Sequence, residues 1–392
     1  MSKLHLALAS GTVFEKDGTL KKGIITFLKE CIQNEYDFFI MTHDYKRLKI
    51  YSELLEKKLN KKVIVTTRKE VRRAFSDEKK RPLLKTTIVV GTSEADLHLA
   101  ANFKLLFIYP LWNDNTDESA KKYGFHIETP EKLISALAIL NNQLHFYYTL
   151  NIDETTTLYA LTSANNNSAT DDESEMINRF RQVLKEGDKE YYEALFFHLI
   201  SSVMKNDDLR KIDIWGIMPS SGTELNQDMW EIKERCRYLT GRRMKEPVFL
   251  RHTVVQKSHR TDYNTRINVG AKKHLDSLMI NPHYKGKLKG KIVCILDDYV
   301  TNGTSFEAIR NLLMKAEVEK IYFFAFGRFK RGEFGIYQKE NYKIEGNIYS
   351  SDYAHELIEK DKNFGVNGKY AYEAKTEVEN IKSILSNEFN CD

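Results

Sequence analysis

The sequence predicts an α/β protein made of two Rossmann-like three-layer units, each a sheet with helices on both sides. Two observations carry this. Over the first 140 or so residues, short apolar runs alternate with amphipathic stretches, the pattern of parallel strands joined by crossover helices. After a polar tract the alternation resumes, with apolar runs at 211–218, 291–296 and 320–327. At 392 residues the chain exceeds a usual single domain, and each unit is long enough to bury its own core.

In chain order, the first unit offers strands at 4–8 (LHLAL), 38–41 (FFIM), 62–66 (KVIVT), 86–90 (TTIVV) and 104–109 (KLLFIY), with a helix at 46–59 between two of them. The tract 163–175 (SANNNSATDDESE) breaks all periodicity and reads as a loop or linker. The strand-like runs just before it, HFYYTLNI and TTTLYALT, could belong to the second unit. The expected division is 1–145 and 146–392. Two helical patterns, at 175–187 and 190–204, lead into the strand at 211–218, and a helix at 306–316 connects the strands at 291–296 and 320–327. The remainder is rich in Tyr, Gly and Lys and reads as a cap or an appended hairpin and helices. The lysine-rich KGKLKG at 285–290 reads as a plain turn.

Composition excludes several classes. The 60 basic and 55 acidic residues leave a net charge of +5, too small to imply a nucleic-acid partner by itself. Cys31, Cys236, Cys294 and Cys391 are far apart and form no CxxC, so neither a zinc cage nor a disulfide framework is indicated, and a reducing cytoplasm fits best. No apolar run reaches membrane-spanning length and no secretory leader is expected. One local bias stands out: residues 57–85 hold twelve Lys or Arg, three acids and a single aromatic, Phe75. This segment is either a solvated helical face or a nucleic-acid patch.

The stretch at 292–306, IVCILDDYVTNGTSF, concentrates the chemistry. An all-apolar strand belongs to a sheet covered on both faces, so its carboxyl end is where polar groups first meet a crevice, and Asp297 and Asp298 fall there. The turn that follows leads into a helix whose first amides lack internal acceptors and favour an anion. Gly303 permits a left-handed backbone and close approach, and Thr301, Thr304 and Ser305 add hydroxyl donors to those of Asn302 and the main chain. Two carboxylates beside a phosphate are better matched to sugar hydroxyls, or to Mg²⁺ held through water.

CILDDYVTNGTS resembles the signature loop of type I phosphoribosyltransferases, which bind 5-phosphoribosyl-1-pyrophosphate (PRPP). The resemblance implies that Asp297 and Asp298 face the ribose hydroxyls and a water-bridged Mg²⁺, while Thr301, Asn302, Gly303, Thr304 and Ser305 wrap the 5′-phosphate. The turn at Ser220, Ser221, Gly222 and Thr223, followed by Asn226 and Gln227, is similar to the pyrophosphate turn of the ComF-like branch. So is the stretch 250–271, with Arg251, His252, Gln256 and Asn268. Arg251 and Arg266 are the implied pyrophosphate ligands, with Arg260 the alternative to Arg266. Arg266 stands two residues before Asn268, where the family more often has an arginine three before, so the register departs from the pattern. The likeness covers roughly 150–330 and implies transfer of a phosphoribosyl group to a nitrogen acceptor, with release of pyrophosphate. It names no acceptor and no general base. The alternative is a PRPP- or nucleotide-sensing effector without transfer, in a bacterial stress or phage-defence assembly that includes nucleic acid.

The first unit resembles the haloacid dehalogenase (HAD) layout in LALASGTVF, FIMTHD and TIVVGTSEADLHLA. Leu8 stands at the nucleophile position, Ser10 at the acid/base position and Thr92 at the first acid of the last motif, while Gly11, Thr12, Thr42 and Asp96 remain. Leucine can be neither nucleophile nor metal ligand, so the resemblance implies a catalytically inactive module. Association into oligomers or a larger complex is neither supported nor excluded by the sequence.

Overall fold

The computed structural model describes residues 3–113, 117–142, 146–164, 189–222, 225–255, 268–329, 336–361, 364 and 368–386. Residues 165–188, with most of the polar tract and the helical pattern at 175–187, lie outside them.

The first unit is a wholly parallel six-stranded sheet. Its spatial order is Val65–Thr67, Asp37–Thr42, His5–Ala9, Thr87–Val90, Leu106–Pro110 and Phe125–Ile127. The order reverses between His5–Ala9 and Thr87–Val90, the place where such sheets open a crevice at their carboxyl ends. Two of the helices begin at capping boxes, Thr67 with Glu70 ahead of Arg68–Phe75 and Ser93 with Asp96 ahead of Glu94–Phe103. The strand expected at 62–66 is shorter and later, because it lies at the sheet edge with a single neighbour and exposes Lys61, Lys62 and Ile64. The sixth strand, Phe125–Ile127, was not expected; three residues carry too little periodicity to announce it.

The second sheet is mixed rather than wholly parallel. Its order is Lys369–Tyr370, Tyr148–Asn151, Thr156–Ser163, Lys320–Arg328, Ile292–Val300 and Ile214–Ile217. The last four are parallel, while Tyr148–Asn151 and Thr156–Ser163 form an antiparallel hairpin, so the runs before the polar tract join the second sheet. A further antiparallel hairpin, Lys339–Glu345 with Ala354–Asp361, packs on the helix Thr304–Lys315. A terminal helix, Glu373–Leu385, packs against Lys189–Lys205 and Pro130–Asn142.

Period-two alternation divides the second sheet between two cores. Cys294, Leu296, Tyr322 and Phe324 share a core with the first unit's Leu106, Phe107 and Phe125, whereas Val293, Ile295, Ile321 and Phe323 pack with Phe306 and Ile309 of the following helix. The helix Lys189–Lys205 fills the junction, where Phe197 stacks on Phe125 at 4.0 Å. Polar groups pin it. Arg235 donates to the Gly124 carbonyl at 2.9 Å and pairs with Glu193, and Arg210 donates to the carbonyls of Phe103 and Lys104. Among the described residues, no helix is long and apolar enough to cross a membrane.

Lys205 donates to the Leu140 carbonyl at this junction, and burial pulls its pKa down to about 8 from 10.5, against the opposing pull of Glu377. Between about 8 and 10.5 the folded chain has released a proton that the unfolded chain keeps, so stability rises with pH across that window. In Lys205→Met this contribution is gone. The melting temperature of the variant relative to wild type is therefore expected to fall on going from pH 8 to 10.5; a constant difference would show that Lys205 is not desolvated.

Candidate functional site

Ile292–Val300 lies between Lys320–Arg328 and Ile214–Ile217. The second neighbour stops opposite Leu296, where the Met218 amide donates the last bond, to the Leu296 carbonyl at 2.8 Å. The sequence placed the end of the strand at 296, but it continues to Val300 along Lys320–Arg328 alone. Asp297 and Asp298 thus stand where one flank of the strand loses its partner. The faces also change there. Leu296 and Tyr299 pack on the same core although they are three apart, a spacing that in a regular strand points opposite ways. Asp297 and Asp298 lie between them, at the break. Each is half-buried, and each accepts from the next amide, Asp298 N to Asp297 Oδ1 and Tyr299 N to Asp298 Oδ1, both at 2.9 Å.

The turn after Val300 is held from within. Arg328, buried, donates to the carbonyls of Val300 and Thr301 and lies 4.8 Å from the Tyr148 ring centre. The Asn302 side chain donates to the Ile336 carbonyl at 3.0 Å, and the Asn302 main-chain carbonyl accepts from the Gln338 amide. Gly303 adopts φ +76°, and a Cβ there would overlap the Tyr337 ring. The helix starts at Thr304 without a side-chain cap, and the amides of Thr304 and Ser305 have no acceptor among the described residues. Thr301, Thr304 and Ser305 are half-buried.

On the open flank lies the turn after Ile217. The carbonyls of Pro219 and Ser220 accept from Arg251, at 3.3 and 2.5 Å, and that of Ser221 accepts from Val255 at 3.0 Å. With these oxygens engaged, the amides of Ser221 and Gly222 are left without an acceptor among the described residues, and the space beside Gly222 is open. Arg251 sits on a strand the sequence did not announce, Phe249–Arg251, paired with Leu278–Ile280. Its guanidinium also donates to Ser277, and the residue as a whole is only 7% exposed. Burial draws its pKa to about 10, partly offset by Asp297, whose charge lies close enough to act on it. Arg251 thus holds the turn in shape, with its nitrogens on the protein's own oxygens. Thr223 and residues 256–267, including Gln256, Arg260 and Arg266, lie outside the described residues; Asn268 is exposed.

Behind the cradle is a buried network the sequence reading missed. Glu307 accepts from Arg310 at 2.6 Å, from Tyr337 Oη at 2.6 Å and from the Glu340 amide at 2.9 Å. Arg310 reaches Asp153 at 3.1 Å, Asn341 at 2.6 Å and the Glu340 carbonyl at 2.8 Å. Burial, and then the Glu307 carboxylate, push the Tyr337 phenol well up, so it remains a donor. The available signal was a Glu and an Arg three apart in the otherwise apolar FEAIRNLL. Glu340 ties in the hairpin, accepting from the Ala271 amide at 2.8 Å beside Gly270, which takes φ +59°.

The first unit's crevice is differently furnished. Leu8 is buried in the central strand, paired with Ile40 and Val90. Asp96 is fully buried and accepts from Arg68 Nε at 2.5 Å, from the Thr92 and Ser93 amides at 3.2 Å and from Ser93 Oγ at 2.7 Å. The retained acid is thus engaged by its own turn. Thr12 Oγ1 donates to the Ala9 carbonyl, and the Thr12 carbonyl accepts from Trp112. Thr42 accepts from the Asp44 amide. Ser10 and Gly11 begin the short helix Ser10–Val13. Among the described residues no group of three or more His, Cys, Asp or Glu could hold a metal ion.

Removing the Glu307 carboxylate leaves Arg310 buried with its nearest carboxylate gone, so Glu307→Ala is expected to cost about 3–5 kcal/mol in urea unfolding. A loss under about 1 kcal/mol would show that the network adds little beyond ordinary packing. No protein-family model matches the chain, and no curated protein is similar to it in sequence.

Proposed function

We propose that the second unit is a type I phosphoribosyltransferase fold of the ComF-like branch, which binds PRPP with Mg²⁺ and transfers its phosphoribosyl group to a nitrogen acceptor. The single observation that supports this most is the convergence of two amide-presenting turns on one break in the sheet. The amides of Thr304 and Ser305 lie on one side of Asp297 and Asp298, and those of Ser221 and Gly222 are carried by the neighbouring strand end. In this reading the phosphate sits on the helix start, the carboxylates accept from the ribose hydroxyls, and the pyrophosphate lies on the turn that Arg251 shapes.

The residues present suit Mg²⁺. It takes hard oxygen donors, keeps several waters and is shared with substrate phosphates, so two carboxylates at an open strand end are enough without a protein cage. When bound it would neutralise charge on the departing pyrophosphate. In the transfer the C1–O bond to pyrophosphate breaks, with its electron pair leaving on oxygen, and a C1–N bond forms as the acceptor nitrogen gives up a proton. The first unit is read as a HAD-like module without phosphotransfer, because Leu8 supplies no nucleophile and Asp96 is bound by Arg68.

Calorimetry with PRPP and Mg²⁺ tests the site. Each charge-assisted hydrogen bond contributes about 1.5–3 kcal/mol, so Asp297→Asn with Asp298→Asn is expected to weaken binding at least about tenfold. Equal affinity in wild type and variant would overturn the assignment. Pyrophosphate release across a panel of bases then separates a transferase from a protein that binds PRPP without turnover.

A further inference from the structure

Residues 57–85 are the most charge-asymmetric part of the chain. Their twelve basic and three acidic residues give +9 against +5 for the whole, so all other residues together carry −4. The structure shows how little of that charge is neutralised. Arg68 pairs with Asp96, Arg81 with Glu78 and Lys85 with Asp207, and the other nine form no ion pair among the described residues. All nine are exposed. The segment's acids are engaged locally, Glu70 in its capping box and Asp77 on the Lys79 amide.

The fold gathers these cations. The helix Arg47–Leu59 runs down to the amino end of the edge strand Val65–Thr67, delivering Lys57, Lys58, Lys61 and Lys62 there. The helix Arg68–Phe75 starts at the carboxyl end of that strand and returns, bringing Arg72 and Arg73 to the same end from across the edge. The turn carrying Lys79 and Lys80 follows directly. This end of the sheet is opposite the strand ends that hold Ser10, Thr42 and Thr92, so the first unit's crevice plays no part in it.

We propose that this edge of the first unit is a docking surface for the phosphodiester backbone of double-stranded nucleic acid. Charge complementarity specifies a polyanion. Phe75, the segment's aromatic, packs on Phe39 and Phe103 at 6.5 and 5.4 Å between ring centres, which leaves no ring of residues 57–85 to stack an unpaired base. Recognition is thus by backbone charge, independent of sequence and strongly salt-dependent. It also supplies a use for a unit that keeps the sheet and lacks the acids of a phosphotransferase.

The test is fluorescence anisotropy of the full chain with short labelled DNA and RNA duplexes over a salt series. The logarithm of affinity is expected to fall against the logarithm of salt with a slope of about −0.9 per phosphate neutralised. The exposed variant Lys57→Ala/Lys58→Ala/Lys61→Ala/Lys62→Ala is expected to flatten that slope by about 3, with an unchanged circular dichroism spectrum. Lys285→Ala/Lys287→Ala, on the second unit, should leave it unchanged. No duplex binding at low salt, an equal loss in both variants, or tighter binding to phosphatidylserine vesicles than to duplex would each overturn the proposal. Retained PRPP binding by the first variant separates this outcome from failure of the nucleotide-site reading.

Discussion

The site rests on a buried ion pair that no ligand would touch. Glu307 and Arg310 occupy one face of the helix whose first turn forms the cradle, and between them they hold Tyr337, the Glu340 backbone, Asn341 and Asp153. A loop that leaves its amides unpaired needs its restraint from the other side. Here the restraint reaches the loop through the Tyr337 ring, which sits against Gly303 and is anchored by its hydroxyl to Glu307. Two charges in a core are costly alone, and the nearly complete set of partners here is what makes their burial tolerable.

The same division of labour recurs at the neighbouring turn. Arg251 has the charge of a phosphate ligand but the burial and partners of a brace: it takes up the carbonyls of Pro219 and Ser220, beside amides at Ser221 and Gly222 that have no acceptor among the described residues. For the proposed ligand, main-chain dipoles held in place would meet an anion with little reorganisation, whereas a free arginine would have to be ordered each time. The proposed chemistry thus relies on shaped backbone beside two carboxylates.

The junction makes the two units one packed body. Aromatic stacking of Phe125 on Phe197, the Arg235 bridge to Gly124 and Glu193, and a core that runs from Leu106 to Leu296 leave little freedom for hinge motion between the sheets. The helix Gln227–Leu239, which follows the turn at 219–222, packs on helices Glu94–Phe103 and Glu118–Tyr123 of the first unit. The first unit therefore buttresses the second.

Local pattern alone determined much of this. Apolar runs long enough to be buried strands, glycine at a left-handed position, and two acids at the end of such a run are readable one residue at a time, because they reflect period, backbone sterics and solvation. Short or edge elements, Phe125–Ile127, Phe249–Arg251 and the shifted Val65–Thr67, were not, since a three-residue strand exists only through its neighbour. Tertiary structure decided the rest. It set the mixed character of the second sheet, the run of the strand past Leu296 along a single neighbour, and the assignment of Arg251, Asn302 and Asp96 to the protein's own groups. A side chain's partner depends on which distant backbone folding brings within about 3 Å, and no spacing along the chain encodes that distance.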